Sequence, residues 1–335
     1  MKPLILGKNG KLSRKDNSLY FSYIKNGDKK SNKIPIENTP EIYAYGEIEV
    51  NSKALSLLSK MEIPVHFFGY YGNYTGSFYP KERYLSGKLH IEQVKAVEDG
   101  RGFEIAKAIV GGIGEAVLNT FRDFQKNGKD LKEFQKPVRK AIEKLQKVDG
   151  KKQLLQIEAS IWQNFYGSLD TLLHKDFVFE KRTKKPPENP LNALISFGKS
   201  IIYSKTVTAL YGTQLMQSVS YLHEPSERRF SLSLDLSEVF HILIVFKAIF
   251  RAVNLKKLKV DKHFRLDLNF AYLNDKGKEI FVGEIEALLK ESFEHKKLKR
   301  PVRYGELFRL EGYKLEKFLL GESSEFRPFS ELEKS

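Results

Sequence analysis

Side chains able to bind a divalent cation lie in three separate segments in the middle of the chain. Glu158 stands in LLQIEASIW, His223 in SYLHEPSERR, and Asp235 and Glu238 in SLSLDLSEVF. Oxygen ligands completed by one imidazole suit Mg²⁺ or Mn²⁺ better than a structural zinc ion. A bound ion of this kind can polarise a phosphoryl oxygen and lower the pKa of a nucleophile. If the three segments converge, these residue types predict metal-dependent phosphoryl chemistry.

Glu158 and His223 each have an ordinary structural interpretation as well. Glu158 lies at the edge of an apolar stripe on a predicted helix over 152–174, where it could be a plain surface glutamate. His223 comes shortly before Pro225, which disfavours helix in the residue preceding it. A histidine at a helix end could therefore be a C-terminal cap that interacts with the helix dipole.

Three interpretations are open for Asp235 and Glu238. On a helix, their spacing of three residues places both on one face. The same spacing fits a capping box, with Asp235 as the N-cap. The alternation of Phe230, Leu232 and Leu234 fits a strand, which would put the two carboxylates on opposite faces. The helical pattern of VFHILIVFKAIF directly afterwards favours the helix.

A line of polar side chains runs along the otherwise apolar helix predicted near 191–220. Its members recur at steps of three and four residues: Asn192, Ser196, Lys199, Tyr203 and Thr206. The basic and proline-rich segment KKPPENP precedes it, and Asn189 is a candidate start of the helix. The line could face phosphates or a partner, or it could be a solvent-facing edge.

The elements that must position these residues change type along the chain. Up to about residue 80, short apolar runs alternate with turn signals, and Asn9-Gly10 and Asn26-Gly27 predict hairpins. A helix over 52–61 with Ser52 as N-cap interrupts them. From about residue 88 the apolar period is helical. Helices are predicted over 88–127, 130–148, 152–174, 191–220, 236–254, 278–296 and 302–320.

The pattern predicts an α+β chain of two domains. A small β-sandwich-like domain over 1–86 would precede a larger all-α catalytic domain over 87–335. Of the 335 residues, 41% are hydrophobic, and the net charge of +15 favours a polyanion such as nucleic acid as partner. The absence of cysteine excludes disulfides, thiolate zinc sites and cysteine nucleophiles. No apolar run is long enough to cross a bilayer, so we expect a soluble, cytoplasmic protein without membrane contact.

The order of the motifs resembles that of a known family. IEA is followed by KKPPENPLNALISFGKSIIY, then by YLHEP, and then by RRFSLSLDLSE. This order is similar to that of the CRISPR-associated integrases of spacer acquisition, the first-numbered Cas family. The resemblance extends to EIYAYGEIEV in the β domain and to RPVRYGELFRLEGYKLEKFLLGE in the tail, and it covers nearly the whole chain.

The resemblance implies a metal-dependent DNA endonuclease and integrase. Its Mg²⁺ or Mn²⁺ ligands fall on Glu158, His223 and Glu238, and a further catalytic carboxylate falls on Asp235. The positions that approach DNA are implied to be Lys184, Lys185, Asn189 and Asn192, with Ser196 of the polar line beside them. The family also implies a homodimer formed through the β domain, and a small ferredoxin-fold second Cas protein that bridges two dimers.

Some positions depart from the family pattern. Gln156 and Ala159 replace the glycines that commonly flank the metal glutamate. Gly112 and His241 stand where basic residues are often found, so the resemblance does not carry DNA contacts over to them. The ligand residues themselves are retained.

The expected function is insertion of short duplex DNA, the spacers, into a CRISPR array. A terminal 3′ hydroxyl would attack a phosphodiester at the border of a repeat, in a transesterification that needs no ATP. One alternative is a structure-selective nuclease that cuts branched DNA during repair and uses water as nucleophile. Another is a non-enzymatic basic DNA-binding protein, in which the acidic residues serve only as caps and ion pairs.

Overall fold

The computed structural model describes residues 3–69, 72–80, 86–184, 186–224, 230–267 and 270–334. Two compact units make up the chain, Met1–Arg83 and Tyr84–Ser335. The boundary that we predicted lies slightly later, between residues 86 and 87. Lys185, one of the predicted DNA-binding residues, lies outside the described residues.

The first unit contains two four-stranded sheets and one helix. In chain order its elements are β1 Leu4–Leu6, β2 Gly10–Lys15, β3 Ser18–Lys25, β4 Asp28–Ile34, β5 Ile42–Tyr45, β6 Ile48–Val50, α1 Ser52–Lys60, β7 Val65–Phe68 and β8 Tyr74–Phe78. One sheet has the order β1-β5-β7-β8 and the other β4-β3-β2-β6. Buried side chains of both sheets and of α1 share one hydrophobic core.

Turn chemistry explains the connections of this unit, but only in part as predicted. Asn26 and Gly27 have φ of 54° and 84° and join the antiparallel strands β3 and β4, which confirms that hairpin. The Asn9-Gly10 hairpin is wrong, because β1 and β2 belong to different sheets and Gly10 is already the first residue of β2. The N-cap of α1 is Asn51, whose side chain accepts a hydrogen bond from the Ala54 amide, and not Ser52.

The second unit is largely helical. Its helices are α2 Gly87–Lys95, α3 Arg101–Lys126, α4 Lys132–Lys144, α5 Lys151–Gly167, α6 Leu169–Leu172, α7 Pro190–Tyr211, α8 Ser231–Phe240, α9 Lys247–Asn254, α10 Val260–His263, α11 Asp275–Lys290 and α12 Tyr304–Leu319. Its strands are β9 Phe264–Asp267, β10 Phe270–Leu273, β11 Ser292–His295 and β12 Arg300–Arg303.

The expectation of an all-α second domain is therefore wrong in detail. β9 pairs with β10 and β11 with β12, each pair antiparallel. The stretch predicted as one helix over 278–296 ends at Lys290 and continues as β11. Strands of four residues carry too little periodic signal to be separated from the end of a neighbouring helix.

Helix ends differ from the prediction where the backbone turns sharply. The predicted 88–127 helix is broken by Gly100, whose φ of 90° is incompatible with a right-handed helix. The 191–220 helix stops at Tyr211, and residues 212–224 form no regular element. The helix predicted from 236 begins five residues earlier, at Ser231.

The core of this unit is the continuous run from α8 through a π-helical segment, His241–Phe246, into α9. Nearly every side chain of the run is buried, as its almost uninterrupted apolar sequence requires. Helix α7 packs closely against it, because Gly198 has no side chain at the contact. A Cβ atom there would lie 2.5 Å from Cγ1 of Val245. In the described part of the chain, no helix is both long and apolar enough to pass through a bilayer.

Candidate active site

Asp235 and Glu238 lie on α8, with their side chains buried in the second unit. Because α8 begins at Ser231 with Phe230 as its N-cap, Asp235 is inside the helix. The capping-box and strand interpretations are therefore wrong, and the helix interpretation is confirmed. Asp235 is 0% exposed and Glu238 7% exposed. Burying two carboxylates three residues apart is costly unless each is compensated by specific partners.

The partners of Asp235 are the three residues that end at His223. Its Oδ2 accepts hydrogen bonds from the amides of Tyr221 at 2.7 Å and Leu222 at 2.9 Å. Its Oδ1 accepts from the His223 amide at 2.9 Å and from His223 Nδ1 at 2.8 Å. One buried carboxylate thus fixes both the backbone of this turn and the orientation of the His223 ring.

His223 is presented by a non-helical segment, so the cap interpretation is wrong. Helix α7 ends at Tyr211, well before it. A carboxylate oxygen only accepts, so Nδ1 carries the proton and Nε2 is the nitrogen left for a ligand. Burial by itself lowers the pKa of His223. The hydrogen bond and charge of Asp235, with the charges of Glu238 and Glu158, outweigh burial and raise the pKa above its usual value.

Glu238 is compensated by His241 and Lys199. His241 Nδ1 lies 3.0 Å from Glu238 Oε2, and Lys199 Nζ lies 3.8 Å from the same oxygen. Burial alone raises the pKa of Glu238, but His241, Lys199 and His223 together bring it well below the usual range. Burial lowers the pKa of His241 to about 4, so at neutral pH its uncharged ring donates a hydrogen bond to Glu238.

Glu158 reaches the same site from α5. It is half-buried on that helix, and the side chain of Trp162, one turn later, donates a hydrogen bond to it. Burial and the charge of Glu238 raise its pKa, while His223, Lys199 and the Trp162 hydrogen bond act in the opposite direction. Lys199 Nζ lies 4.3 Å from the centre of the Trp162 ring, so it is held between the two acidic elements.

The donor set fits a hard divalent cation, although the side chains do not form a closed ligand cage. Among the residues that the structure describes, no three acidic or histidine side chains stand close enough together to hold an ion. However, Glu158, Glu238 and His223 interact electrostatically with one another. Burial, and after it the charge of Glu238, raises the pKa of Glu158, and a bound cation would favour the charged form of this carboxyl. Two carboxylates and one imidazole are ligands that Mg²⁺ and Mn²⁺ accept.

The first two residues of the polar line of α7, Asn192 and Ser196, are hydrogen-bonded to the segment 181–183 that precedes the helix. Asn192 is 0% exposed, and its side chain donates to the Lys181 carbonyl and accepts from Arg182 and the Thr183 amide. Ser196 accepts a second hydrogen bond from Arg182. The solvent-facing-edge interpretation is wrong for Asn192. DNA contact by Asn192 and Ser196 stays a prediction, because both side chains are engaged with residues 181–183 here.

The segment that Asn192 supports brings Lys184 towards the acidic residues. Lys184 is exposed, and burial of its stem together with the charges of Lys199 and Arg182 lowers its pKa. The charges of Glu238 and Glu158 act on it in the opposite direction. Asn189 caps α7 by accepting a hydrogen bond from the Asn192 amide at 2.8 Å, as its place in the sequence indicated. Its predicted DNA contact is a separate role.

Three supporting residues were missed from the sequence: His241, Arg182 and Gln93. His241 follows Glu238 by three residues in a helical pattern, so that spacing could have indicated the pair. The roles of Arg182 and Gln93 depend on contacts across the fold. Gln93, on α2, is fully buried and makes two hydrogen bonds to the backbone of Met216, at 2.7 and 2.9 Å. The carbonyl of Gln93 also accepts from the Tyr221 hydroxyl.

Replacing Gln93 with Leu is expected to destabilise the chain by about 1–3 kcal/mol, because the Met216 amide would lose its acceptor and the Met216 carbonyl would keep only the Val219 amide, at 3.3 Å. Urea unfolding measures this change. His90→Ala is the matched control on the same helix, since it removes a single half-buried contact to the Gln214 carbonyl. Equal costs for the two variants would contradict the anchoring role of Gln93.

Known proteins share both the sequence and the fold of this chain. The family described as "CRISPR associated protein Cas1" matches residues 4–287. A relative from Thermodesulfovibrio yellowstonii, named a CRISPR-associated endonuclease Cas1, is 39% identical over 330 residues, covering 98% of both chains. The structure of a Cas1 protein from Thermotoga maritima is 33% identical, covers 99% of this chain and 100% of that one, and superposes with a TM-score of 0.82.

More distant structures share the fold alone. A casposase bound to an integration product superposes with a TM-score of 0.88 at 17% identity, over 100% of this chain and 95% of that one. A chain of a Cas6-RT-Cas1–Cas2 complex gives a TM-score of 0.81 at 20% identity, over 98% of this chain and 36% of that one. With a family match over most of its length and relatives near 40% identity, the chain belongs to the CRISPR-associated protein Cas1 family.

Proposed function

We propose that this chain is a metal-dependent DNA endonuclease and integrase that inserts short duplex DNA into a CRISPR array. The observation that supports the proposal is the mutual electrostatic interaction of Glu158, His223 and Glu238, with Asp235 hydrogen-bonded to the His223 ring. Relatives at this level of identity are named CRISPR-associated endonucleases, and a chain of the same fold holds an integration product.

The ligands of the Mg²⁺ or Mn²⁺ ion in this proposal are Glu158, His223 through Nε2, and Glu238. When bound, the ion supplies charge stabilisation at the reacting phosphodiester and lowers the pKa of the attacking 3′ hydroxyl. Asp235 keeps the His223 ring in the tautomer that leaves Nε2 unprotonated. His241 plays the corresponding role for Glu238, because its Nδ1–H group fixes one carboxylate oxygen.

Basic residues around the acidic cluster would hold the DNA backbone. Lys184 is exposed beside the site, and Lys199 lies between the Trp162 ring and Glu238. Their charges favour approach of a phosphate despite the nearby carboxylates. Binding through several phosphates should weaken steeply with salt, with a slope of about −0.9 per neutralised phosphate of a duplex in a log–log plot.

A strand-transfer assay with a labelled short duplex and a repeat-containing target tests the proposal. Wild-type protein is expected to join strands in Mg²⁺ or Mn²⁺ and to stop in EDTA, and His223→Ala is expected to lose at least about 100-fold in joining. Unchanged strand joining by His223→Ala would contradict the assignment of His223 as a metal ligand. Cleavage without joined product would favour the structure-selective nuclease, and DNA binding indifferent to EDTA, without any reaction, would favour the non-enzymatic binder.

The proposed assembly has two further parts. The β unit would form a homodimer, and the small second Cas protein would bridge two dimers at a DNA substrate. A complex containing Cas1 and Cas2 includes a chain of this fold, which supports the second partner. Light scattering of the chain alone, and then with the second Cas protein, tests both interactions. A monomer in the first measurement would contradict the dimer.

A further inference from the structure

A groove between α4 and α5 is lined by residues that the catalytic proposal does not use. Its volume is about 510 Å³, which falls within the range of ligand-binding sites. Lys140, Lys144 and Lys147 line one side of the groove. The amide side chains of Gln153 and Gln156 line the other side. All lining residues belong to the described range 86–184, and none of them is acidic.

The three lysines form a row of positive charges along one side of the groove. Lys140 and Lys144 are one helical turn apart, about 6 Å along α4, and Lys147 continues the row in the turn after it. Successive phosphates of a nucleic-acid strand follow one another on this length scale. The nearby Lys151 is paired with Glu224. By contrast, no described carboxylate lies within ion-pair distance of the three groove lysines.

The groove is separate from the acidic cluster, although both involve α5. At 3.6 residues per turn, Gln153, Gln156 and Ser160 share one side of α5, and Glu158 projects from roughly the opposite side. The floor of the groove is apolar, because the buried side chains of Val148 and Ile157 contribute to it. A ligand in the groove would therefore meet an apolar floor, amide groups and a row of positive charge.

We infer that this groove binds a single-stranded segment of the DNA substrate, at a distance from the reacting phosphodiester. Phosphates would pair with the lysine row, while an unpaired base would rest on the floor with its edge facing Gln153 and Gln156. A groove between two packed helices is too narrow for a duplex, since such helix axes lie only about 8–10 Å apart. The inference rests on the proposed function for its choice of DNA as ligand.

Salt-dependent binding of a fluorescein-labelled deoxythymidine 12-mer, measured in EDTA by anisotropy, tests the groove. The triple variant Lys140→Gln, Lys144→Gln and Lys147→Gln is expected to reduce the log–log salt slope by about 2, since each single-strand phosphate contributes about 0.7. At 0.1 M salt this corresponds to a roughly 100-fold weaker Kd. The substituted side chains are exposed, so folding should be unaffected.

A control triple removes the same charge elsewhere in the same unit. Lys256→Gln, Lys290→Gln and Lys297→Gln are exposed and lie outside the groove. This control is expected to retain most of the wild-type slope. Equal losses in the two triples, or no loss in either, would overturn the inference. A duplex 12-mer that displaces the single strand as effectively as an unlabelled single strand would also overturn it.

A thiol placed in the groove gives a second readout, because the chain has no cysteine of its own. Ser160→Cys creates a single reactive group in the lining, and the 12-mer is expected to slow its alkylation several-fold. Lys297→Cys, outside the groove, should be alkylated at the same rate with and without the 12-mer. Protection of the groove thiol by polyglutamate but not by the 12-mer would identify an acidic polypeptide as occupant and reject the inference.

These measurements also separate the groove from the catalytic proposal. Binding and alkylation are followed in EDTA, where no joining is required, and strand transfer by the wild type is followed in parallel with metal. A wild type that does not join strands, but whose groove binds the 12-mer, would reject the proposed function alone. Strand joining by the wild type, together with a Ser160→Cys variant whose thiol the 12-mer does not protect, would reject the groove alone.

Discussion

Replacing Glu238 with Gln is expected to lower strand joining by more than about 100-fold while the chain stays folded. Loss of an outer partner of a metal ligand already costs about 10–100-fold, and this change removes a charged ligand itself. The amide has the size of the carboxylate, so the buried space remains filled. The strand-transfer assay in saturating Mn²⁺ measures the effect, and thermal unfolding in EDTA shows whether the fold is retained.

Glu311→Gln is the matched control for this prediction. Glu311 is also a buried glutamate, at 1% exposure, but it lies on α12 with Lys314 and the Phe329 amide as partners. Joining by this variant should stay close to the wild-type value. If the two substitutions lower joining equally, the loss at Glu238 reflects general damage to the fold and the ligand assignment fails.

Replacing Asp235 with Ala is expected to produce the largest loss of stability, about 3–5 kcal/mol. The change leaves three buried or half-buried backbone amides, those of Tyr221, Leu222 and His223, without their acceptor. The corresponding fall in melting temperature is about 6–20 °C. Joining should be abolished as well, because the ring of His223 loses the group that orients it. A melting temperature within 2 °C of the wild type, an order-of-magnitude threshold for a negligible effect, would contradict this role.

The milder change Asp235→Asn separates orientation from structure. An amide oxygen retains part of the acceptor function but removes the charge, which is a main reason why the pKa of His223 is raised. The pKa of His223 should then fall. Metal binding needs the neutral ring of His223 and is lost as the pH falls through the pKa of this ring. The acid limb of the pH profile of strand joining should therefore move to lower pH. Residual joining, about 10–100-fold below the wild type, allows the profile to be measured. An unmoved acid limb would mean that His223 does not control it.

Local patterns were reliable where one short stretch of chain decides the outcome. The Asn26-Gly27 hairpin, the Asn189 cap of α7 and the shared face of Asp235 and Glu238 all follow from residues within a few positions of each other. Prediction failed where distant residues compete. Asn9-Gly10 has the composition of a hairpin turn, but pairing of β1 with β5 and of β2 with β3 and β6 places its two flanking strands in different sheets.

The roles within the candidate site show the same division. From sequence, Asp235 could be a ligand, a cap or a strand residue, whereas its contacts in the fold assign it to the turn that presents His223. The sequence placed Lys199 only in the polar line of α7. In the fold, Gly198 packs closely against Val245, and Lys199 Nζ lies 3.8 Å from Glu238 Oε2. Asn192 belonged to the same line and is instead buried against residues 181–183.

The sequence by itself determined the residue types of the site, the order of the motifs, the change from β to helical periodicity and the strongly basic balance. Those features depend on composition and on neighbours along the chain. Only the tertiary structure decided which carboxylate supports a histidine, which histidine supports a carboxylate, and where lysines line a groove. Such roles depend on burial and on hydrogen bonds between segments far apart in sequence, and no local pattern encodes those distances.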